Sequence, residues 1–306
     1  MNQKNKIYPV KQSPLYRLGR KKDLATLLNV SVGDFSTLKQ KSNFKEWTNK
    51  QGRLIEEPAH TLKVLLSYLH KILQRIETPL YLMSGKAGVS SQCNATKHLE
   101  TPYMINVDIE KFYQNSKREF IYSMFKDTFE QTNDIASLLA DITTYDGHIP
   151  TGAPTSQILA FWAYKKTFDK IDTLSKSHDI IMTLWVDDIT FSSKKPFPSN
   201  WIEDIKKILN KVDLNLKDNK TIKKTKNQFK GVTGTAISPQ GEKKVKNKKR
   251  HKILKIIEEQ PIEQMPEKTI NSLLGQLSAQ RRNEPSFFQN TYERVIKAKK
   301  KLSQKE

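Results

Sequence analysis

Asp187 and Asp188 stand side by side between two short apolar runs, Ile180-Ile181-Met182-Thr183-Leu184-Trp185-Val186 and Ile189-Thr190-Phe191. Such runs read as strands, and the pair reads as the corner between them. Two carboxylates at one corner repel each other and cost stability unless a cation lies between them. Upstream, Asp108 ends a further apolar run, Tyr103-Met104-Ile105-Asn106-Val107. Three aspartates on neighbouring strand ends are a minimal oxygen set for hard divalent cations. A pair of those cations can clamp the attacking and leaving oxygens of a phosphoryl transfer. Taken singly, each feature has a plainer reading: an aspartate after a strand commonly caps a helix, and Asp-Asp suits a turn. Together, in a basic chain, they point to metal-dependent nucleotidyl transfer on a nucleic acid.

The 306 residues suffice for two or three packed subdomains. Lys and Arg number 53 against 32 Asp and Glu, a net charge of +21. That excess implies a polyanionic partner, nucleic acid before membrane, although a general lysine bias would also raise it. Cys93 is the only cysteine, so no internal disulfide forms and a reducing cytosol is expected. Residues 1–20 are polar, without the apolar core of a secretory signal, and the longest apolar stretch, near Ile158 to Tyr164, is far short of a membrane span. A cytoplasmic globular protein without a membrane partner is expected.

Short helices are predicted over 23–29 and 32–40, then a strand pair over 44–56 turning at Gln51-Gly52. After Pro58, Leu62, Val64, Leu65, Tyr68, Leu69, Ile72 and Leu73 recur at three- and four-residue steps, the pattern of an amphipathic helix. A polar loop over 84–93 precedes the Asp108 strand, followed by helices over 119–129 and 134–140. The turn-rich Gly147–Pro154 segment leads into a helix from Thr155 to about Leu174. After the aspartate hairpin come a helix over 201–212 and strands near Thr221 and Val232. This order predicts an antiparallel sheet with helices over one face. From Gly241 the chain is expected to be helical and basic.

Within Gly147–Gln157, Gly152 permits close backbone approach and Pro154 fixes a first helical turn. Thr155 and Ser156 are expected to leave hydroxyls at a helix start that could rest against a base pair; an ordinary helix start is the plainer reading.

The order Asn106-Val107-Asp108-Ile109-Glu110-Lys111-Phe112-Tyr113, then Pro150-Thr151-Gly152-Ala153-Pro154-Thr155-Ser156, then Val186-Asp187-Asp188-Ile189-Thr190-Phe191-Ser192 resembles the palm of reverse transcriptases. More narrowly, Asn94-Ala95-Thr96-Lys97-His98 and Val232-Thr233-Gly234 resemble the two signatures that mark retron reverse transcriptases. The likeness runs from about Arg53 to Gly234 and continues weakly over Leu273–Lys301, which resembles a retron thumb. It implies an α/β right-hand polymerase fold. Residues 1–104 would form N-terminal helices and fingers, 105–240 an antiparallel-sheet palm with a fingers insertion near 115–150, and 241–306 a helical basic thumb.

Carried over by position, the resemblance implies that Asp108, Asp187 and Asp188 hold two Mg²⁺ ions, or Mn²⁺ in their place, helped by the Ile109 carbonyl. Tyr113 falls where an aromatic ring blocks a ribose 2′-OH, and Arg53 where a fingers arginine grips the triphosphate, a task suited to a guanidinium. Thr151 and Gly152 fall at the nucleotide, Trp185, Pro154, Thr155 and Ser156 at primer and template, and Lys220 near the pyrophosphate. Asn94 and His98 would contact the RNA. Trp185 stands where the family usually has Tyr, Thr151 where it has Gln, and Gln157 where it has Pro. These departures bear on rate and fidelity, not on the carboxylates.

The run Lys243-Lys244-Val245-Lys246-Asn247-Lys248-Lys249-Arg250-His251-Lys252 is too dense for a core-facing helix. A solvated charge run is the plain reading, but its place at the expected thumb favours phosphate contact by Lys243, Lys244, Lys246, Lys248, Lys249 and Arg250. Phe287, Phe288 and Tyr292 read as thumb core. The implied function is copying of a structured non-coding RNA, with dNTPs, into RNA-linked DNA (msDNA), in phage defence with an effector protein encoded nearby. The rivals are another bacterial reverse transcriptase, of abortive-infection or intron type, and a catalytically silent RNA-binding scaffold.

Overall fold

Ile105 and Val107, Met182 and Leu184, and Ile189 and Phe191 alternate with polar residues, and this two-residue period builds the central sheet. The computed structural model describes residues 7–304, so residues 1–6 and 305–306 of the terminal regions lie outside it.

In chain order, helices α1 (Lys21–Leu28) and α2 (Asp34–Leu38) precede the hairpin β1 (Phe44–Thr48) and β2 (Leu54–Pro58). Next come α3 (His60–Leu73), α4 (Ser91–Thr96), β3 (Tyr103–Asp108), α5 (Phe112–Asn115), α6 (Arg118–Ser123) and α7 (Asn133–Thr143). The long α8 (Ser156–Ser177) leads to β4 (Ile181–Trp185), β5 (Asp188–Ser193) and α9 (Trp201–Asn210). Short strands β6 (Ile222–Lys224), β7 (Lys230–Val232), β8 (Thr235–Ile237) and β9 (Lys243–Val245) follow, then α10 (Asn247–Glu259), α11 (Glu267–Arg281) and α12 (Gln289–Leu302).

The four-stranded sheet has the order β4-β5-β3-β6, and its described pairs are antiparallel. One face packs on a helical core that includes Leu159, Phe161 and Phe168 of α8 and Ile205 of α9. The chain adopts the expected mix of helices and antiparallel sheet, but the helices are not confined to one face, since α4 packs through Ala95 on Met104 of the opposite face. A second cluster, including Ile253, Leu273, Leu277, Phe287 and Val295, joins α10, α11 and α12, with Phe288 and Tyr292 packed against it. A third and smaller cluster, Ala95, Met104, Val232 and Ile237, binds α4 and the sheet to the β7-β8-β9 ribbon.

Three expectations are corrected. Val64 and Tyr68 are 57% and 44% exposed, because α3 buries only the stripe through Leu62, Leu65, Leu66, Leu69, Ile72 and Leu73. The polar loop ends at Ser90, whose hydroxyl caps α4, so Asn94 is helical. Lys243 and Lys244 lie on a strand rather than a helix, since β9 pairs with β8 and carries the ribbon past residue 241. Among the described residues no helix is long and apolar enough to cross a membrane.

Candidate active site

Asp108, the last residue of β3, lies directly opposite Asp188, the first of β5, and Trp185 of β4 flanks Asp188 on its other side. By strand alternation these residues share the sheet face of Asn106, Thr183, Thr190 and Ser192, away from the helical core. Asp187 occupies the turn, and its carbonyl accepts the Ile109 N–H at 2.9 Å, tying the end of β3 to the hairpin. Opposed like charges destabilise a ladder. Desolvation and the charge of Asp108 raise the Asp187 pKa, while Lys220 and Arg53 oppose the rise. Asp188 is an exposed residue, yet its carboxyl group is hemmed in by protein. Desolvation first, then Asp187 and Asp108, push it up to about 6.

Asp108 is only 6% exposed. Its Oδ2 accepts from Lys220 Nζ at 2.7 Å, and Lys217 Nζ stands 3.4 Å from Oδ1 without hydrogen-bond geometry, so that buried oxygen has no hydrogen-bond partner. The bond to Asp108 raises the Lys220 pKa. Among the described residues no three acidic, His or Cys side chains converge as a ready metal cluster; an ammonium already neutralises Asp108. The donors still suit a hard divalent cation. They are three mutually repelling carboxylates, one with a buried oxygen that lacks a hydrogen bond.

The hairpin corner is strained. Val186 has φ +60°, a conformation costly for a β-branched residue. Its N–H donates to the buried Ser84 hydroxyl at 2.9 Å. Residues 81–84 lie along β4, with Leu184 N–H donating to Tyr81 O at 2.7 Å and Met83 N–H to Leu184 O at 2.9 Å. Packing from outside the hairpin therefore holds the turn that carries Asp187.

On the fingers side, Gly152 N–H donates to Glu56 O at 3.1 Å, and a Cβ at Gly152 would meet that oxygen at 2.7 Å. The Thr151 hydroxyl accepts from Glu56 N–H and donates to Leu54 O, both at 3.0 Å. The Glu56 carboxylate accepts from Thr151 N–H at 3.0 Å and lies 2.8 Å from His148 Nε2. Thr151 and Gly152 thus clamp β2 onto the turn before α8. Arg53 begins this arm exposed, with its charge felt at Asp187. Tyr113 is half-buried, its ring stacked on Phe112 at 6.0 Å. Desolvation and then the charge of Asp187 push its hydroxyl up to about 12.

Thr155 and Ser156 are corrected. Both are buried, and Ser156 Oγ donates to Pro150 O and Ala153 O, so neither hydroxyl is offered to a base pair; Pro154 stays half-buried.

No family model matches the chain. It is 27% identical over 178 residues to the Retron Se72 reverse transcriptase of Salmonella heidelberg, covering 56% of this chain and 47% of that protein. Identity to the Retron Ec86 reverse transcriptase of Escherichia coli is 28% over 151 residues, 49% of this chain and 47% of the relative. The Retron Ec48 reverse transcriptase of Escherichia coli is 24% identical over 210 residues, 62% and 51% of the two chains. This chain is related in sequence to the retron reverse transcriptases. It spans about half the length of the curated relatives it matches. Among solved structures, an apo telomerase of Candida tropicalis truncated from its C-terminal domain aligns with TM-score 0.47 and 13% identity, over 67% of this chain and 54% of that one. A foamy viral protease-reverse transcriptase in complex with double-stranded DNA aligns with TM-score 0.45 and 17% identity, over 78% and 35%.

The two retron-like signatures meet in space. Thr233 and Gly234 both have positive φ, +42° and +89°, and form the two-residue turn between β7 and β8. The Thr233 hydroxyl donates to Ser91 O at 3.1 Å and accepts from Asn94 Nδ2 at 3.4 Å. Asn94 and His98 are 1% and 0% exposed, which corrects the expectation that they contact RNA. His98 packs on the same sheet face as the aspartates, with Nδ1 2.7 Å from Ser192 Oγ and Nε2 2.8 Å from Thr183 Oγ1. Burial lowers its pKa to about 3, so the ring stays neutral.

The basic run divides. Arg250 donates to Glu284 and lies over the Phe287 ring at 5.0 Å, a packing role that corrects its assignment to RNA. Lys244 pairs with Glu242 at 2.9 Å, Lys243 is half-buried, and Lys248 is exposed. Lys246 is half-buried, its pKa lowered by desolvation and by Lys249, and it feels the charge of Asp188. Sequence reasoning missed Ser84, Glu56, His148 and Lys217. Each acts on a partner roughly a hundred residues away, which no local pattern reveals.

Proposed function

We propose that this chain is an RNA-directed DNA polymerase of the retron kind. The observation that carries the reading is the opposition of Asp108 and Asp188 beside Asp187, in a chain of net charge +21. Asp108, Asp187 and Asp188, with the Ile109 carbonyl, would hold two Mg²⁺ ions, or Mn²⁺ in their place. When bound, such ions supply nucleophile activation and neutralisation of the triphosphate during displacement at the α-phosphorus. Arg53 brings positive charge to the triphosphate side. Lys220 holds a proton at Nζ, 2.7 Å from Asp108, close to where pyrophosphate would leave. Tyr113 would deny space to a 2′-OH, and Trp185 would bear on the primer end.

In the same proposal, residues up to 104 form N-terminal helices and fingers, 105–240 the palm, and the following segment a basic thumb whose helices begin after β9. Lys243, Lys244, Lys246, Lys248 and Lys249 would neutralise phosphates without reading sequence. The template would be a structured non-coding RNA, the product RNA-linked msDNA, the setting the cytoplasm, and the role phage defence with an effector protein. The relationship to retron enzymes supports this choice over other bacterial reverse transcriptases. The test is extension of a DNA primer on an RNA template with four dNTPs and Mg²⁺. The Asp187→Asn/Asp188→Asn variant should abolish extension yet keep RNA affinity within about twofold, since the lysines that hold phosphates are untouched. Extension that survives in that variant would overturn the reading.

A further inference from the structure

Trp47 leaves 48% of its surface in solvent although it lies mid-strand in β1. Its position is fixed. The indole N–H donates to Glu57 Oε2 at 3.2 Å, and the other oxygen of Glu57 accepts from Lys63 Nζ at 2.6 Å. Trp47 pairs across the hairpin with Ile55, whose side chain borders Gly152. Two residues before Ile55 is Arg53, whose charge reaches Asp187. The acidic side chains of this arm are all engaged: Glu46 by the Tyr145 hydroxyl at 2.8 Å, Glu56 by His148 and Thr151, and Glu57 by Lys63 and Trp47. Lys50 and Arg53 form no ion pair among the described residues, and Lys45 acts on Glu57 only through its charge, so most of the cationic charge of the arm is left open. A fixed aromatic face beside uncommitted cations matches the chemistry of an unpaired nucleotide, with a base to stack and a phosphate to neutralise. A duplex offers no free base face along its side. Ahead of a copying site, the unpaired strand is the template.

We propose that Trp47 is a stacking platform for an unpaired template base arriving at the fingers. This rests on the polymerase reading, but it is measured by binding alone. A chain that binds as expected without extending a primer would overturn that reading and leave Trp47 a stacking platform for an unpaired nucleotide. The probes are a primer–template duplex with a 5′ template overhang of about five nucleotides, within the footprint typical of single-strand sites, and the same duplex made blunt. The wild-type chain should bind the overhang duplex more tightly. Trp47→Ala should lose that gain, about tenfold for one base–aromatic stack, and Trp47→Phe should keep most of it. The slope of log affinity against log salt should stay unchanged, because no phosphate contact is removed. Three results would each overturn the proposal: equal loss on both duplexes, no loss on either, or a Phe variant as weak as the Ala variant.

Discussion

The Asn94 side-chain amide donates to the Thr233 hydroxyl at 3.4 Å, joining α4 to the β7–β8 turn across 139 residues of sequence. Thr233 holds a left-handed conformation that a β-branched residue adopts only under restraint, and its hydroxyl is fixed by Asn94 and Ser91. Asn94→Ala and Thr233→Val should each lower stability by about 1 kcal/mol, the usual worth of one hydrogen bond. The double variant should lose less than their sum, because both remove the same contact. Urea unfolding of the four proteins measures this, and strict additivity would show that the contact contributes nothing. Asn94 is buried, so initiation on a structured RNA and extension of a supplied primer should fall in equal proportion.

His98→Ala strips the Ser192 and Thr183 hydroxyls of their partner and leaves a cavity against the sheet face that carries the aspartates. A loss of about 2–4 kcal/mol is expected. Unfolding midpoints check it. A stable variant that fails only in RNA-primed initiation would mean that His98 reaches the RNA after all.

Asp188 supplies a pH signature. Its folded pKa, about 6, lies above the ordinary carboxylate value, so its charge destabilises the fold above pH 6 and the penalty is relieved as pH falls. In metal-free buffer Asp188→Asn should therefore melt higher than wild type at pH 7.5. The gap should shrink through pH 6 and close near pH 4. Thermal melts across that range, with chelator present, decide the matter; a gap independent of pH would contradict the raised pKa. Adding Mg²⁺ at pH 7.5 should stabilise the wild type more than the variant.

Gly152→Ala puts a methyl group against the carbonyl oxygen of Glu56, where backbone must move. The β1–β2 arm, which carries Arg53, would shift with it. About 1–3 kcal/mol of stability should be lost to overpacking, and KM for dNTPs should rise more than kcat falls. Steady-state kinetics with unchanged KM would show that the arm does not set the nucleotide site.

Tyr113→Ala should raise ribonucleotide over deoxyribonucleotide incorporation by about tenfold or more, the scale of a contact worth 1–3 kcal/mol. Competing the two nucleotide types on one template reads the ratio. If it does not change, the ring only packs against Phe112.

The sequence alone determined the strands that carry the three aspartates and the corner between two of them, because strand alternation and turn chemistry are local, whereas β9 was legible only in the fold. The amphipathic stripe of α3 and the long α8 were legible for the same reason, although Val64 and Tyr68 escaped the stripe once tertiary packing chose which flank to cover. Which polar residues face solvent was decided only by the tertiary structure. Asn94, His98, Thr155 and Arg250 read as ligand contacts in the chain; Thr155 is simply buried, and the other three serve as internal ties, because their partners arrive from distant segments. The same holds for Ser84 beneath Val186 and for Lys220 on Asp108, which lies 112 residues earlier. Local chemistry fixes where a carboxylate can stand. Burial and hydrogen-bond partners, which set its charge and its neighbours, depend on contacts that the linear order does not encode position by position.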